Sequence, residues 1–430
     1  MPTGHSSSVF RRLRESGEPF LDNSARIPGI IRFEFPFSAS LLAPHGFGKS
    51  AFLSMAADFY DFRKNSKALF EGLEISKDKA FCAEHMNKHP VIFLQFKDFV
   101  FSTEEEGIAK WVDILADTVL QFPEVLESDA KHQTFTKDLS DFLRHRPRDR
   151  FEISFVLQNL VLAINERWGE PILLVDDYDV PALCAERTGL GREFTDIWVR
   201  CLEFAVNCNC DSVTKNGILV SGVKPAFITS AWPSDRLFER MISHSLIRSH
   251  DPMVSLFDEP HVKGMLGEAG AADRFDKLAR LCGGYKTNGG RRLIHPESVM
   301  AFLRALKTDS NARPEPIQFD DEVLFDSVLR GAEQYTADKI GEILAGEDVR
   351  FEGGIPLTMD QSEMGLQTTF VVMIHYGVLN LKPGRGFRSR YFSVEIPNES
   401  ARAALERLKD RLLQTGKRKP VPRRKSFHFV

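Results

Sequence analysis

Residues Leu41 to Leu53 read LLAPHGFGKSAFL, and this stretch decides how the rest of the chain is interpreted. Its apolar beginning predicts a buried strand, and the run that starts at Ala51 predicts a helix. Between them, Gly46 and Gly48 allow a tight turn in which successive backbone N–H groups point at one anion. The stretch therefore predicts a strand, a phosphate-binding loop, and a helix whose N-terminus favours negative charge.

Two side chains at the end of this loop have the chemistry that a nucleotide phosphate requires. Lys49 adds a compact positive charge, and Ser50 places a hydroxyl where a phosphate-bound Mg²⁺ would lie. The P-loop (Walker A) pattern is G-x-x-x-x-G-K-[ST], and the chain meets its second half, because Ala43 stands at the first glycine position. An ordinary helix-entry loop is the alternative interpretation. The predicted nucleotide-contacting residues are His45, Gly46, Phe47, Gly48, Lys49, Ser50 and Ala51.

A second stretch, Pro171 to Val180, reads PILLVDDYDV and supports the nucleotide interpretation. Its continuous apolar run predicts a strand that is covered on both faces, as in a parallel sheet. The carboxylates follow at the C-terminal end, where open α/β sheets bind ligands. We expect Asp176 to hold Mg²⁺ through water, and Asp177 to orient or deprotonate an attacking water. Acidic residues also end strands simply as turn formers, so the pairing with the loop carries the prediction.

Further apolar runs extend this architecture along the chain. PVIFLQF at 90–96 and GILVSGV at 217–223 predict two more strands, and the helical segments between them imply right-handed crossovers and a parallel sheet. Ser221, near the end of the second run, is a candidate sensor of the γ-phosphate, although any strand can end in Ser-Gly. Later, YGVLNLKP and RYFSVEIP follow a predicted helix, and they indicate a winged-helix-like unit or a β-hairpin.

These patterns predict an α/β chain: a P-loop NTPase parallel sheet flanked by helices, then a helical lid, and then a small winged-helix-like α+β unit. A chain of 430 residues is too long for one ordinary core. The predicted segments are a disordered leader at 1–18, a P-loop NTPase core at 19–257, a lid at 258–345, a winged-helix-like unit at 346–414 and a basic disordered tail at 415–430.

Composition is that of a soluble globular protein, with 43% hydrophobic and 27% charged residues. The net charge of −4 gives no global basic field that would recruit nucleic acid, and no apolar run is long enough for a membrane span. The six cysteines form no metal-binding pattern and are typical of reduced thiols in an intracellular protein. We therefore expect a cytoplasmic or nuclear location and no membrane partner.

The C-terminal tail is the strongly basic segment of the chain. It carries six cations between positions 417 and 425, namely Lys417, Arg418, Lys419, Arg423, Arg424 and Lys425. Such a cluster is typical of a nuclear-import signal or a nucleic-acid patch. A solvated, disordered terminus explains the same composition. Both interpretations stay open at this point.

The order of motifs resembles that of the AAA-ATPase-like domain family, in which the domain is often followed by a PD-(D/E)xK nuclease-like domain. That family has an RPRRFGKS-type loop, LFEGL, PVI-L-F, an IDEYD-type strand, a TGV strand and a YNPxSVLxFL helix. The chain has APHGFGKSAFLSM, LFEGLEI, PVIFLQF, VDDYDVP, VSGV and IHPESVMAFL in the same order, followed by IHYGVLNL and IPNESARAAL. The resemblance spans roughly residues 20 to 410. It implies a P-loop NTPase core of the AAA+/STAND kind, and ATP rather than GTP.

The chain departs from the family pattern at functional positions. Ala43 and His45-Gly46 replace basic loop residues, and Asp177 replaces the Glu that follows the first Walker B acid. No Arg follows the Ser221 strand, where Lys224 is the nearest cation. The chain ends about where the nuclease-like domain would begin, so we expect no nuclease activity.

The predicted function is ATP binding with slow Mg²⁺-dependent hydrolysis, acting as a conformational switch. Lys49, Asp177 and Ser221 are the predicted catalytic residues, and Ser50 and Asp176 are the predicted Mg²⁺ ligands. One alternative is a nucleotide-gated scaffold that binds ATP without hydrolysing it. Another is a nucleic-acid-associated factor that uses the basic tail. A protein partner or a homo-oligomer is compatible with each of these functions.

Overall fold

A computed structural model describes most of the chain. The residues that it describes are 8–31, 38–127, 133–188, 190, 194, 197, 200–202, 204–205, 218–222, 227–228, 242–245, 257–287, 290–326, 328, 331–352, 359–360, 366, 368–382 and 391–416. Over these residues the chain is a mixed α/β protein in which helices predominate. This confirms the predicted α/β class.

The helices of the described residues connect and cover short strands. They are α1 (Val9–Glu15), α2 (Lys49–Tyr60), α3 (Lys67–Phe70), α4 (Lys79–His85), α5 (Glu104–Leu120), α6 (Gln133–His145), α7 (Arg150–Trp168), α8 (Val180–Thr188), α9 (Glu259–Glu268), α10 (Phe275–Cys282), α11 (Pro296–Thr308), α12 (Asp321–Asp326), α13 (Glu333–Leu344), α14 (Thr368–His375) and α15 (Glu399–Gly416). Short 3-10 helices lie at Ser24–Ile30, Glu74–Lys77, Pro123–Leu126 and Ala272–Arg274.

None of the strands that the structure describes is longer than five residues. They are β1 (Ser38–Leu42), β2 (Val91–Gln95), β3 (Ile172–Asp176), β4 (Ile218–Gly222), β5 (Phe227–Ile228), β6 (Ile242–Ser245), β7 (Tyr285–Lys286), β8 (Arg292–Leu293), β9 (Arg350–Glu352), β10 (Met359–Asp360), β11 (Asn380–Leu381) and β12 (Tyr391–Glu395).

The largest sheet has five strands in the order β2-β3-β4-β1-β6, and every neighbouring pair in it is parallel. Because parallel strands end at the same edge, the C-terminal ends of β1, β3 and β4 lie at one edge of the sheet. β4 lies between β1, which leads into the glycine loop, and β3, which ends in the acidic residues. The sheet therefore brings the two sequence motifs to the same edge, with one strand between them.

The interior strand β3 shows why its sequence is a continuous apolar run. Leu173 and Val175 belong to an apolar cluster that includes side chains of α5 and α7. Ile172 and Leu174 alternate with them and belong to a second cluster, which includes side chains of α2. Successive side chains of a strand point to opposite faces, so helices cover both faces of this sheet.

The predicted disordered leader is wrong for the residues that the structure describes within it. Residues 9–15 form α1, which begins at an N-cap where the Ser8 side chain accepts a hydrogen bond from the Arg11 N–H group. Phe10 is fully buried, and its N–H group donates to Ser54 Oγ of α2 at 3.0 Å. The polar composition of this segment suggested disorder, although one buried side chain, Phe10, packs α1 against the rest of the protein. Residues 1–7 lie outside the described part of the chain.

The second half of the chain contributes two further apolar clusters. One joins α9, α10 and α11, and the other joins α12, α13, α14 and α15 with a three-stranded antiparallel sheet of order β11-β12-β9. The predicted strand pair at YGVLNLKP and RYFSVEIP thus corresponds to β11 and β12. The winged-helix assignment and the domain boundaries stay predictions.

Two expectations concern features beyond these elements. The basic segment 417–425 lies outside the described residues. Among the helices that the structure describes, none is both long enough and apolar enough to cross a membrane.

Candidate functional site

The loop between β1 and α2 turns tightly at two glycines. Gly46 has a φ of +77° and Gly48 a φ of +80°, both in the left-handed region that side chains with a Cβ rarely adopt. Gly48 is also the N-cap residue of α2, and its carbonyl accepts from the Phe52 N–H group at 3.0 Å. The loop therefore delivers the chain directly into the N-terminus of α2, where unpaired N–H groups attract anions.

Lys49, the first residue of α2, folds back into the loop. Its side chain is buried, and Nζ donates to the carbonyl oxygens of Ala43 at 2.8 Å and of Pro44 at 3.0 Å. Burial lowers the pKa of the Lys49 ammonium, because a low-dielectric environment disfavours the charged form. The carboxylates that follow β3 oppose this shift. A cation is thus held inside the loop by backbone oxygens.

Three carboxylates lie at the C-terminal end of β3, at the same edge of the sheet: Asp176 is the last residue of the strand, and Asp177 and Asp179 follow it. Asp176 and Asp179 are buried, and their charges together with that of Asp177 act on Lys49. The pKa of Asp177 is raised to about 6, chiefly by burial and secondly by the negative charge of Asp176, while Lys49 opposes the shift. Asp177 also has a φ of +53°, a left-handed conformation that is uncommon for a residue with a side chain.

The outer side of the loop lies against the beginning of α11. His295 Nε2 is 2.9 Å from the carbonyl oxygen of His45, and the Glu297 N–H group donates to the carbonyl oxygen of Gly46 at 3.1 Å. The His45 side chain is 86% exposed, and its Nδ1 lies 3.5 Å from Glu297 Oε2. This contact with His45 lowers the pKa of Glu297. The loop and the first turn of α11, which are far apart in the sequence, are therefore joined by hydrogen bonds.

Aromatic packing fixes the middle of the loop. Phe47 is buried, and its ring meets Tyr285 edge-on at a centroid distance of 5.1 Å and His295 at 5.4 Å. Pro44 packs against Gly377, in the turn between α14 and β11, because a Cβ added at Gly377 would lie only 2.9 Å from Pro44 Cγ. The loop is therefore packed against two segments from the second half of the chain.

The structure brings most of the sequence-predicted residues to one place. His45 to Ala51 form the loop and the first turn of α2, and Asp176 and Asp177 lie at the end of β3. The backbone of Ser221 lies in β4 and pairs in register with Leu41, the residue before the last of β1. The side chain of Ser221 lies outside the described residues.

Sequence reasoning assigned no site role to His295, Glu297 or Tyr285. The signal for the first two was present in IHPES, because a Pro at the first helical position marks a helix N-terminus. That signal locates the beginning of α11, but the contact with a loop some 250 positions earlier depends on the tertiary fold.

The donor set is compatible with Mg²⁺ bound together with phosphates. Within the residues that the structure describes, no three His, Cys, Asp or Glu side chains cluster as a metal site. Mg²⁺ at nucleotide sites is usually held by one or two protein oxygens, waters and phosphate oxygens, so such a cluster is not required. The Ser50 hydroxyl near the N-terminus of α2 and the Asp176 carboxylate supply protein oxygens at the same edge of the sheet.

Comparison with known proteins agrees with this geometry. A family model described as predicted AAA-ATPase matches residues 4–231, which is more than half of the chain. The match includes the loop, α2, β3 and the acidic residues after it. No curated protein matches the chain.

Proposed function

Because the chain belongs to the AAA-ATPase-like family, we propose that it binds ATP with Mg²⁺ at the loop between β1 and α2, and that it hydrolyses ATP slowly as a conformational switch. The observation that carries this proposal is the position of Lys49. Its ammonium lies inside a loop with two left-handed glycines, at the sheet edge where Asp176 and Asp177 lie. A buried cation facing an anion-binding loop is the arrangement that polyphosphate recognition needs.

Each residue of the site has a defined task in this proposal. Backbone N–H groups of residues 46–50 cradle the β-phosphate, and Lys49 leaves its two carbonyl acceptors to neutralise charge on the β- and γ-phosphates. Ser50 and Asp176 hold Mg²⁺, and Asp177 positions the attacking water and accepts its proton. When bound, ATP supplies the transferable phosphoryl group, and Mg²⁺ offsets the charge on its oxygens. Ser221 is the proposed γ-phosphate sensor.

Contacts of the loop with the second half of the chain support the switch. Pro44 gives up a hydrogen bond when Lys49 moves, and the same residue touches Gly377 between α14 and β11. Pro44 thus connects the Lys49 hydrogen bond to the turn between α14 and β11. Any conformational response requires that ATP bind one arrangement of these segments better than the other.

Single-turnover phosphate release from ATP with Mg²⁺ tests the proposal. We expect slow release from the wild type, none from Asp177→Asn despite bound ATP, and loss of both ATP binding and release in Lys49→Ala. Lys67→Ala, which changes an exposed lysine at the start of α3, is the matched control and should behave as wild type. Unchanged ATP affinity in Lys49→Ala would overturn the site assignment.

A nucleotide-gated scaffold is the second candidate function. It is favoured by the identity of Asp177, whose carboxylate is one methylene closer to the backbone than that of Glu and reaches less far towards a water. The same experiment separates the two functions. ATP binding that depends on Lys49, together with phosphate release at the background rate, would favour the scaffold over the ATPase.

A further inference from the structure

We propose that His295 is a positioning residue that orients the peptide groups of the phosphate-binding loop. The identity of the ligand, ATP, rests on the proposed function. The contact between His295 and the loop is present in the structure without any ligand. The proposal concerns the hydrogen bond between the His295 ring and the carbonyl of His45, and it assigns that bond a role in ATP affinity.

The hydrogen bonds of the ring define its protonation state. The Ser298 N–H group donates to His295 Nδ1 at 3.3 Å, so Nδ1 is an acceptor and caps α11. Nε2 faces a carbonyl oxygen at 2.9 Å and therefore carries the hydrogen of the neutral ring. Burial lowers the pKa of His295 to about 4, which keeps the ring neutral at physiological pH. The same ring thus caps one helix through Nδ1 and donates to the loop through Nε2.

Peptide geometry converts this bond into an orientation of the loop. In a trans peptide group the C=O of one residue and the N–H of the next point in opposite directions. The carbonyl of His45 points to His295, and the carbonyl of Gly46 points to the Glu297 N–H group. The N–H groups of Gly46 and Phe47 consequently point away from α11, where they are available to a phosphate.

The loop carbonyls on either side complete this arrangement. Ala43 and Pro44 are bound by Lys49, and His45 and Gly46 are bound by the first turn of α11. Four consecutive carbonyl groups therefore have donors in the described structure. The other donors are the charged side chain of Lys49 and the backbone N–H group of Glu297. A substitution of His295 is therefore the one that removes a donor without removing a charge, and it tests the effect of loop orientation most directly.

Gly46 packs directly against the His295 ring. A Cβ built on Gly46 would lie 2.5 Å from His295 Cε1 and 2.6 Å from Nε2. The ring is itself held by Phe47 and by the cap at Ser298. The donor is thus fixed in place before any ligand binds, which reduces the cost of ordering the loop.

Two substitutions separate the helix cap from the loop contact. His295→Asn keeps an oxygen that can cap α11 but is too short to reach the His45 carbonyl, and His295→Gln places an N–H donor near the position of Nε2. His261→Asn, which changes an exposed histidine in α9, is the matched control. We expect ATP affinity to fall about threefold to tenfold in His295→Asn and to return towards the wild-type value in His295→Gln.

Two measurements on the full chain judge the inference. Equilibrium ATP binding with Mg²⁺ gives the affinities, and amide hydrogen exchange over residues 43–53 without nucleotide reports the loop itself, with faster exchange expected in His295→Asn. Wild-type affinity and wild-type exchange in His295→Asn would overturn the inference, as would equal losses in the Asn and Gln variants. Absence of ATP binding by the wild type would instead overturn the proposed function, and the exchange data would still judge the role of His295.

Discussion

The two sides of the loop between β1 and α2 are held by opposite kinds of chemistry. On the inner side, the buried ammonium of Lys49 lies near the carboxylates at the end of β3. Burial lowers the pKa of Lys49 and raises that of Asp177, which favours the neutral form of each side chain. On the outer side, neutral donors from His295 and from the backbone of Glu297 bind the loop carbonyls. The inner side carries charge in a low-dielectric site, and the outer side carries ordinary hydrogen bonds.

This difference indicates where stability and function reside. Buried charges lower the stability of the folded chain unless they are well paired, whereas satisfied neutral hydrogen bonds contribute modestly to it. The outer side can therefore fix the loop while the inner side stays ready to exchange its partners for a ligand. Functional sites often lower stability in this way.

Substitution of Gly46 should produce the largest effect, because this residue combines a left-handed φ with the closest packing against the His295 ring. Gly46→Ala introduces a side chain at a φ of +77° and pushes its Cβ to 2.5 Å from the His295 ring. We expect a loss of unfolding free energy of about 3 kcal/mol from left-handed strain and overpacking together. Urea unfolding of the two proteins measures it.

Gly72→Ala is the control for Gly46→Ala. Gly72 has a similar φ of +80°, and no atom lies within 4 Å of a Cβ built there. Its substitution should lower the unfolding free energy by about 1 to 2 kcal/mol, which is the conformational part alone. Equal losses at both positions would show that the contact with His295 adds nothing, and the outer side would lose its structural role.

Asp177 should make the inner side dependent on pH. Its folded-state pKa of about 6 is raised above its ordinary value, so the folded protein binds the proton more tightly than the unfolded chain does. This contribution to stability is complete below about pH 4 and is lost as the pH rises through about 6. We therefore expect Asp177→Asn to raise the unfolding free energy by about 2 kcal/mol at pH 7.5, and by much less at pH 4.5.

Urea unfolding of both proteins at the two pH values measures this effect. Asn also tolerates the left-handed φ of Asp177, which adds a gain that is independent of pH. The informative quantity is therefore the difference between the gains at pH 7.5 and pH 4.5. A gain of the same size at both pH values would contradict the prediction that the buried, ionised carboxylate of Asp177 lowers the stability of the folded protein.

Glu297 should give the smallest effect. Its carboxylate lies beside His45 on the outer side and is 54% exposed, so solvent screens its charge. Glu297→Gln removes a negative charge near the phosphates and keeps the backbone N–H group that binds Gly46. We expect ATP to bind about twofold more tightly at low salt and equally well at high salt. Glu268→Gln on α9 is the control, and weaker binding in Glu297→Gln would show that its carboxylate assists the ligand.

Local patterns predicted the inner side well. The apolar runs that end at Leu42 and Val175 correspond to β1 and β3, and the helix predicted after the loop corresponds to α2, which begins at Lys49, two residues before Ala51. These features follow from periodicity and from glycine conformations, which depend on neighbours in the sequence. The sequence therefore contained most of the candidate site, although the tasks of its residues remain proposals.

The outer side was not predictable in the same way. The IHPES pattern predicts the start of a helix, but the contact between His295 and His45 depends on how α11 packs. In α1, one buried Phe10 outweighs a polar surface that suggested disorder. Both depend on contacts between distant parts of the chain, which periodicity does not contain. The order of strands in the sheet has the same origin.

If ATP binds as proposed, the bonds from Lys49 to Ala43 and Pro44 make its binding an exchange reaction. The free protein holds its own cation on these two oxygens, and in the proposed mode of ATP binding the ammonium exchanges them for phosphate oxygens. On this proposal, an apparent dissociation constant for ATP would contain the equilibrium between the retracted and the released lysine, and would be weaker than the intrinsic constant by the fraction released. In the proposed cycle, the return of the lysine to the same oxygens after phosphate release would close the site to a weakly bound anion.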